Sequence, residues 1–361
     1  MSNFFSLMTL DRSPDYAARH FNEIDFVKAI AIIAVIGLHA LSANMLYAIF
    51  APFHIWHAVP IFLVIAGMNS TLSSAKRGKF VFSKEYSAGK CIKYFQKIIL
   101  PFSIVWLFEV VVLACAGKIS TGKIIYSFFA GGLGPGSYFT PVFIQHLMLF
   151  PLILWLKNTL QAYNHYLAVI VFFLLSLLLE WLCIVFAVPE WLYRLLYVRY
   201  LFAAFLGSYL VSPGFKKSMT LFLAILSGFY IACLSYSVHS FNTAMIIYPS
   251  WGFQHAPAYF YTVFLVGCLW HFYYFFQKLD VVIMFIGKAT YHIFLLQMVW
   301  FKMTAHAVQG FIPNIVIRLA FDVSVCLLLG CFFFKMHEYG LKAIKTRLAQ
   351  PENQRVAKHD R

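Results

Sequence analysis

Charge is what this chain has least of. Aspartate, glutamate, lysine and arginine make up 11% of its 361 residues, where soluble domains carry about 25%. So little charge excludes a soluble globular protein. Acids are the scarcer kind, 13 against 28 basic residues. The seven cysteines, at 91, 115, 183, 233, 268, 326 and 331, show no CxxC or Cys/His ligand spacing. Most lie in apolar runs, where cysteine behaves as a small hydrophobe, so neither a disulfide framework nor a metal site is expected. No P-loop is present, and hence no sign of nucleotide hydrolysis. No internal repeat supports an inverted-repeat transporter. The opening MSNFFSLMTL lacks a basic n-region and runs into DRSPDYAARHFNEID, so no cleavable signal is expected.

What is there instead is apolar. The chain is 62% hydrophobic with a mean hydropathy of +0.78, and its 40 Phe, 21 Tyr and 8 Trp suit packed spans and interfacial belts. The expectation is an all-α, polytopic transmembrane helix bundle of about ten spans, near 26–46, 54–74, 96–117, 138–157, 165–187, 192–211, 218–237, 257–276, 281–302 and 312–334. An N-terminal segment, 1–25, precedes the bundle at 26–334, and a basic tail, 335–361, follows it. The formal charge of +15 could point to nucleic acid, but its distribution points to the bilayer. Of the 28 basic residues, 21 fall in segments assigned to one side, including both termini and the 75–95 loop. The positive-inside rule therefore predicts an even number of spans with both termini cytoplasmic, and no nucleic-acid partner.

The chain is organised around 22–47, NEIDFVKAIAIIAVIGLHALSANMLY. It opens polar with Glu23, Asp25 and Lys28, then runs apolar until the ionisable His39 interrupts it. As a helix from about Phe26 to Leu46 it is roughly 30 Å long, enough to span. Lys28 and His39 lie about three turns and ~16 Å apart on one face. An ionisable group inside a span marks a functional site by default. The plainer alternative is a hydrogen bond to a neighbouring helix.

Four further stretches stand out. In WHAVPIFLVIAGMNS, 56–70, Pro60 is tolerable in the first turns of a helix, and Ala66 and Gly67 allow another helix to approach closely. His54 and His57 are expected at the outer boundary. In KRGKFVFSKEYSAGKCIKYFQKIILPF, Lys93 and Lys97 share a helix face. Topology alone accounts for basic residues there; a phosphate-binding patch is the functional alternative. GGLGPGSYFTPVFIQHLMLFP, 131–151, reads as a reentrant or extended loop at the outer face, followed by Tyr138 and Gln145 on one helix face with His146 beside them. FIGKATYHIFLLQMVWF, 285–301, brings Thr290, His292 and Gln297 into a span, with Lys288 near its end. Glu109, Glu180, Arg199, His271, Arg318 and Asp322 are also embedded. A charged group at mid-span costs roughly 2.5–3.5 kcal/mol, so this many argue for a polar interior cavity.

IDFVKAIAIIAVIGLH, VPIFLVIAGM, the basic run into QKIILPF, and IGKATYHIFLLQ occur in this order along nearly the whole chain. Together they resemble the acyltransferase-3 family of integral membrane acyltransferases. The resemblance implies transfer of an acyl group, commonly acetyl, from cytoplasmic acyl-CoA to a hydroxyl of a glycan or lipid-linked saccharide at the plasma (inner) membrane. In that family the first span carries an arginine, ten residues and a histidine; Lys28 and His39 keep the spacing with lysine for arginine. Lys93 and Lys97, or more loosely Tyr94 and Lys97, stand for its paired arginines, and Gln297 for its later histidine. His39 is then the general base on the acceptor hydroxyl, and Lys28, Lys93 and Lys97 hold the CoA phosphates. Asp25, Glu109, Tyr138, Gln145, His146, Tyr291 and Gln297 are candidates for substrate-binding or supporting roles, with Glu109 or Asp322 orienting the imidazole. No serine or cysteine nucleophile stands beside a base, which favours direct transfer and requires no metal.

Two other classes fit the same pattern. A sugar-lipid transporter or flippase would also need a polar interior, and a non-catalytic membrane sensor would tolerate Lys28 and Gln297. Thioester consumption separates the three.

Overall fold

The polar leader turns helical where the first apolar run begins. α1 (Asn22–Ala40) has Glu23 and Asp25 in its first turn, where carboxylates complement the helix dipole, and it stops at the extended Leu41. This computed structural model describes residues 20–77, 80, 82–212, 217–236, 247–248, 253–304, 308 and 310–349. The later apolar runs follow as α2 (Ala58–Ala75), α3 (Ala88–Cys115), α4 (Thr121–Phe129), α5 (Phe139–Tyr163), α6 (His165–Val185), α7 (Leu201–Leu210), α8 (Lys217–Tyr236), α9 (Tyr259–Phe272), α10 (Asp280–Met303) and α11 (Ile315–Ala349). Among the described residues there is no strand.

The protein is an all-helical, multi-pass membrane protein. Among the described residues, 7 helical segments, those of α2, α3, α5, α6, α8, α10 and α11, are long and apolar enough to cross a bilayer. Of the other expected spans, α1 carries Glu23, Asp25 and Lys28 in its first two turns, α7 has 10 residues and α9 has 14. The expected boundary between bundle and tail falls inside α11, which continues to Ala349. Arg12, Arg19, Lys79, Lys216, Arg355, Lys358, Arg361 and most of the 238–256 connection lie outside the described residues.

Two expectations need correcting. The segment 192–211 is not one helix: a short helix, Glu190–Tyr193, is followed by a turn, a 3-10 turn at Tyr197–Tyr200, and only then α7. Lys157, at the end of the expected 138–157 span and counted among the basic residues on the cytoplasmic side, is not in a loop. Because α5 runs on to Tyr163, Lys157 stays inside the bundle at 2% exposure, donating from Nζ to Ser212 Oγ at 2.6 Å. His57, expected at the outer boundary, is covered by protein. Two 3-10 turns fold the chain inward before α2 and bury His57, with Nδ1 2.8 Å from Thr262 Oγ1 on α9.

Small residues set the crossings, as expected where lipid supplies no hydrophobic drive between helices. A Cβ on Gly67 would collide with the Ala204 carbonyl, and one on Gly207 with the Val64 carbonyl, so α2 and α7 touch backbone to backbone. Thr71 Oγ1 donates to Ser208 Oγ across this crossing at 2.7 Å. Gly287 brings α10 equally close to the Asp25 backbone on α1. α3 contains a π turn at Phe95–Ile99, where the Leu100 N–H reaches back to the Phe95 carbonyl. Pro101 accounts for it: proline lacks an N–H and its ring displaces the carbonyl four residues earlier, so the preceding turn widens.

Candidate active site

The α1 stripe forms one wall of a cavity. Lys28 and Val35, two turns apart, both line a space of about 330 Å³ between α1, α2, α3, α5 and α10. Lys97 and Lys288, both exposed, stand at its basic end; Phe62, Phe139 and Phe294 line it further in. Asp25 is buried behind Lys28, with Oδ1 2.6 Å from the Lys28 ammonium and Oδ2 2.8 Å from His20 Nε2. The carboxylate thereby fixes the side chain that the helix register places at the mouth.

A second space of about 250 Å³ shares Ala66, Asn69, Lys97, Ile98 and Phe143 with the first. Arg77, Lys90, Lys93 and Lys97 line it on one side, His146, Phe150 and Leu154 on the other. Glu85 holds the basic side together: Oε1 lies 2.6 Å from Arg77 and Oε2 pairs with Lys90. Burial pushes the Glu85 carboxyl up, but the hydrogen bonds and charges of Lys90 and Arg77 outweigh it and hold the group below the usual glutamate value. Lys93 lies before the π turn and Lys97 within it, yet both face this one space. Tyr291, which lines the first cavity, donates from its hydroxyl to the Ile98 carbonyl in that turn at 3.2 Å. The π turn is thus tied to α10.

His39 lies one turn, about 6 Å, beyond Val35 on α1. It is half-buried, its ring centroid 6.1 Å from that of Phe301, and among the described residues its imidazole has no hydrogen-bond or ion-pair partner. Facing it is the 130–138 segment, which links α4 to α5 as a buried loop within the bundle. Non-helical backbone at this depth is tolerated only where protein or a cavity surrounds it. Glu109 Oε2 accepts from the Leu133 N–H at 3.2 Å, and Gln297 Nε2 donates to the Pro135 carbonyl at 3.4 Å. Gly134 packs against the Met298 backbone. Gly136, at φ +83°, comes so near His39 that a Cβ there would sit 3.3 Å from the imidazole Nε2.

The fold thus sorts the expected residues into groups. Lys28, Lys97 and Tyr291 share one cavity, with Asp25 behind them; Lys93, Lys97 and His146 share the second. His39, Glu109 and Gln297 meet at the loop, where Glu109 holds the loop backbone and makes no contact with the imidazole. Asp322 accepts from Trp300 Nε1 at 2.8 Å. Tyr138 and Gln145 stand apart from both cavities. Tyr138 lies beneath the Arg199 and Arg194 guanidinium groups, 5.2 and 5.7 Å from its ring centre. Gln145 bridges the break before α7, donating to the Leu195 carbonyl at 2.6 Å and accepting from the Tyr197 N–H at 3.0 Å. His146 Nδ1 is 2.9 Å from the Tyr197 hydroxyl. The sequence reading missed Asn69, Lys288, Arg77 and Lys90 as lining residues, and Gly136 as the neighbour of His39. For Lys288 the one available signal was its charge beside the 289–297 apolar run.

No curated protein and no solved structure matches the chain. The acyltransferase-3 family, described as an acyltransferase domain, matches residues 21–335. That span takes in α1 with His39, both cavities, the buried loop and most of α11, and the chain belongs to this family of membrane acyltransferases.

Proposed function

We propose that the protein moves an acyl group, acetyl in the first instance, from cytoplasmic acyl-CoA to a hydroxyl of a glycan or lipid-linked saccharide. The observation that carries this reading is the α1 stripe. Lys28 and Val35 line a cavity with cations at its mouth, and His39 stands one turn further in against a buried loop. A volume of about 330 Å³ is at the low end for ligand pockets, which suits the narrow pantetheine arm better than a whole nucleotide. Lys28, Lys93 and Lys97, together with Lys288, Lys90 and Arg77, supply the positive rim that CoA phosphates require.

In the reaction His39 takes the proton from the acceptor hydroxyl as its oxygen attacks the thioester carbon. The carbon–sulfur bond then breaks, and the CoA thiolate leaves with the proton returned by the imidazolium. The products are an acyl ester and free CoA, with no acyl-enzyme between them. An imidazole without a hydrogen-bond partner among the described residues is free to accept that proton. Asp25 positions Lys28, while Glu109 and Gln297 hold the loop that faces His39. In the bilayer we place about ten spans in the plasma (inner) membrane with both termini cytoplasmic, so the basic rim opens where acyl-CoA is made.

The test is release of free CoA by purified protein in lipid nanodiscs, given acetyl-CoA and cell-envelope polysaccharide. His39→Gln keeps a hydrogen-bonding side chain but takes up no proton near neutrality. It should lose about 10²–10⁴-fold in rate while still binding acetyl-CoA. A His39→Gln protein that keeps most of its activity overturns the assignment.

A further inference from the structure

We propose that Phe294 and Phe139 close the inner end of the donor cavity and limit the transferred group to a very short acyl chain. This rests on the acyl-CoA reading above. Both rings line the cavity and are buried, packed edge to face with centroids 5.1 Å apart at 62°. Phe62, also in the lining, adds a third ring 5.9 Å from Phe139. On its other side Phe294 reaches the buried loop: a Cβ on Gly136 would lie 3.4 Å from Phe294 Cε2 and 3.3 Å from His39 Nε2. Phe294 thus lines the cavity and also stands beside the loop glycine that faces the imidazole.

That layout constrains the acyl group. For the thioester carbon to meet a hydroxyl activated by His39, it must come up beside the Phe294 ring. The carbons beyond the carbonyl then have the Phe139–Phe294 pair on one side and Gly136 on the other. A Cβ built on Gly136 would already touch both the ring and the imidazole, so the loop backbone stands close to both. A methyl group fits alongside the ring; each further methylene must displace an aromatic side chain held in a packed core. Pocket discrimination of one methylene is worth about 10–200-fold. Tyr291, stacked at 17° on Phe294 with centroids 6.4 Å apart and bonded to the π turn, holds the ring in place.

The experiment measures acetyl-, butyryl- and hexanoyl-CoA on the full chain in nanodiscs, for the wild type, Phe294→Ala and Phe294→Leu. Binding is followed by calorimetry, and turnover by free thiol released with cell-envelope polysaccharide as acceptor. The wild type should favour acetyl over butyryl by at least about 10-fold in kcat/KM. Both variants should reduce that preference at least about 10-fold, with hexanoyl-CoA becoming a substrate of Phe294→Ala. The leucine variant keeps an apolar side chain of similar reach, so the comparison survives if the alanine variant does not fold. An unchanged chain-length profile in a variant that still turns over acetyl-CoA overturns the gauge and leaves the acyl-CoA reading standing. A wild type that neither binds any of the three nor releases CoA overturns both.

Discussion

At the scale of single residues, Gly136 is the one whose side chain matters most by being absent. Its φ of +83° lies in the left-handed region, and a methyl there would press on the His39 imidazole and the Phe294 ring together. Gly136→Ala should therefore strain the loop by about 1–2 kcal/mol and turn the imidazole away from the acceptor. Steady-state kinetics should show a kcat reduced at least about 10-fold, by analogy with a lost proton-transfer geometry, while acetyl-CoA affinity from calorimetry stays within about twofold. An equal loss in both parameters would place the glycine's role in folding. His39 itself was legible in the sequence because a lone imidazole in an apolar run is conspicuous. Gly136 was not, because the sequence left the glycine-rich stretch either reentrant or extended; what decides it is Glu109 and Gln297, 27 residues earlier and 161 later. Lys288 and Asn69 were hidden for the same reason, since a cavity wall is assembled from segments far apart in the chain.

At the scale of elements, the break before α7 shows how side chains can replace a helix ladder. Where the chain leaves helical geometry, the Leu195 carbonyl and the Tyr197 N–H are taken up by the two ends of one amide, Gln145 on α5. Gln145→Ala would leave both unpaired inside the bundle, at about 1–3 kcal/mol for each group. The expected result is a lower thermal midpoint in a light-scattering or fluorescence melt, with His39-dependent chemistry otherwise intact at low temperature. Gln145→Glu, which can accept from Tyr197 but cannot donate to Leu195, should fall between the two. If the alanine variant melts with the wild type, the amide bridge is incidental. The existence of the long helices was readable from hydropathy, and the close α2–α7 crossing from Gly67. The division of 192–211 was not, although Arg194 and Arg199 flanking a short apolar core were its signature. Apolar composition marks what can be buried; it does not say whether the backbone inside stays helical.

At the scale of the whole molecule, the orientation rests on charge. The proposed layout predicts that a reporter fused at the C-terminus and another in the 75–95 loop both read cytoplasmic, while one within 238–256 reads external. Cysteine accessibility at engineered positions in intact cells gives the same answer independently. A cytoplasmic signal from 238–256 would remove the ten-span layout. Hydropathy made the fold class accessible from sequence, because bilayer insertion depends on composition averaged over 20 residues or so. The site lies beyond such averaging, since it depends on where a few side chains converge.

The ring of Phe294, in the lining of the donor cavity and beside the loop that faces His39, has a consequence for traffic across the bilayer. Under the proposed orientation, a nucleotide-bearing donor enters from the basic rim and an acceptor approaches from the loop side, and neither needs to pass the aromatic pair. What changes compartment is a fragment of a few atoms, passed on where the acceptor hydroxyl meets the thioester carbon beside that ring. Such an enzyme imports chemistry without importing substrate.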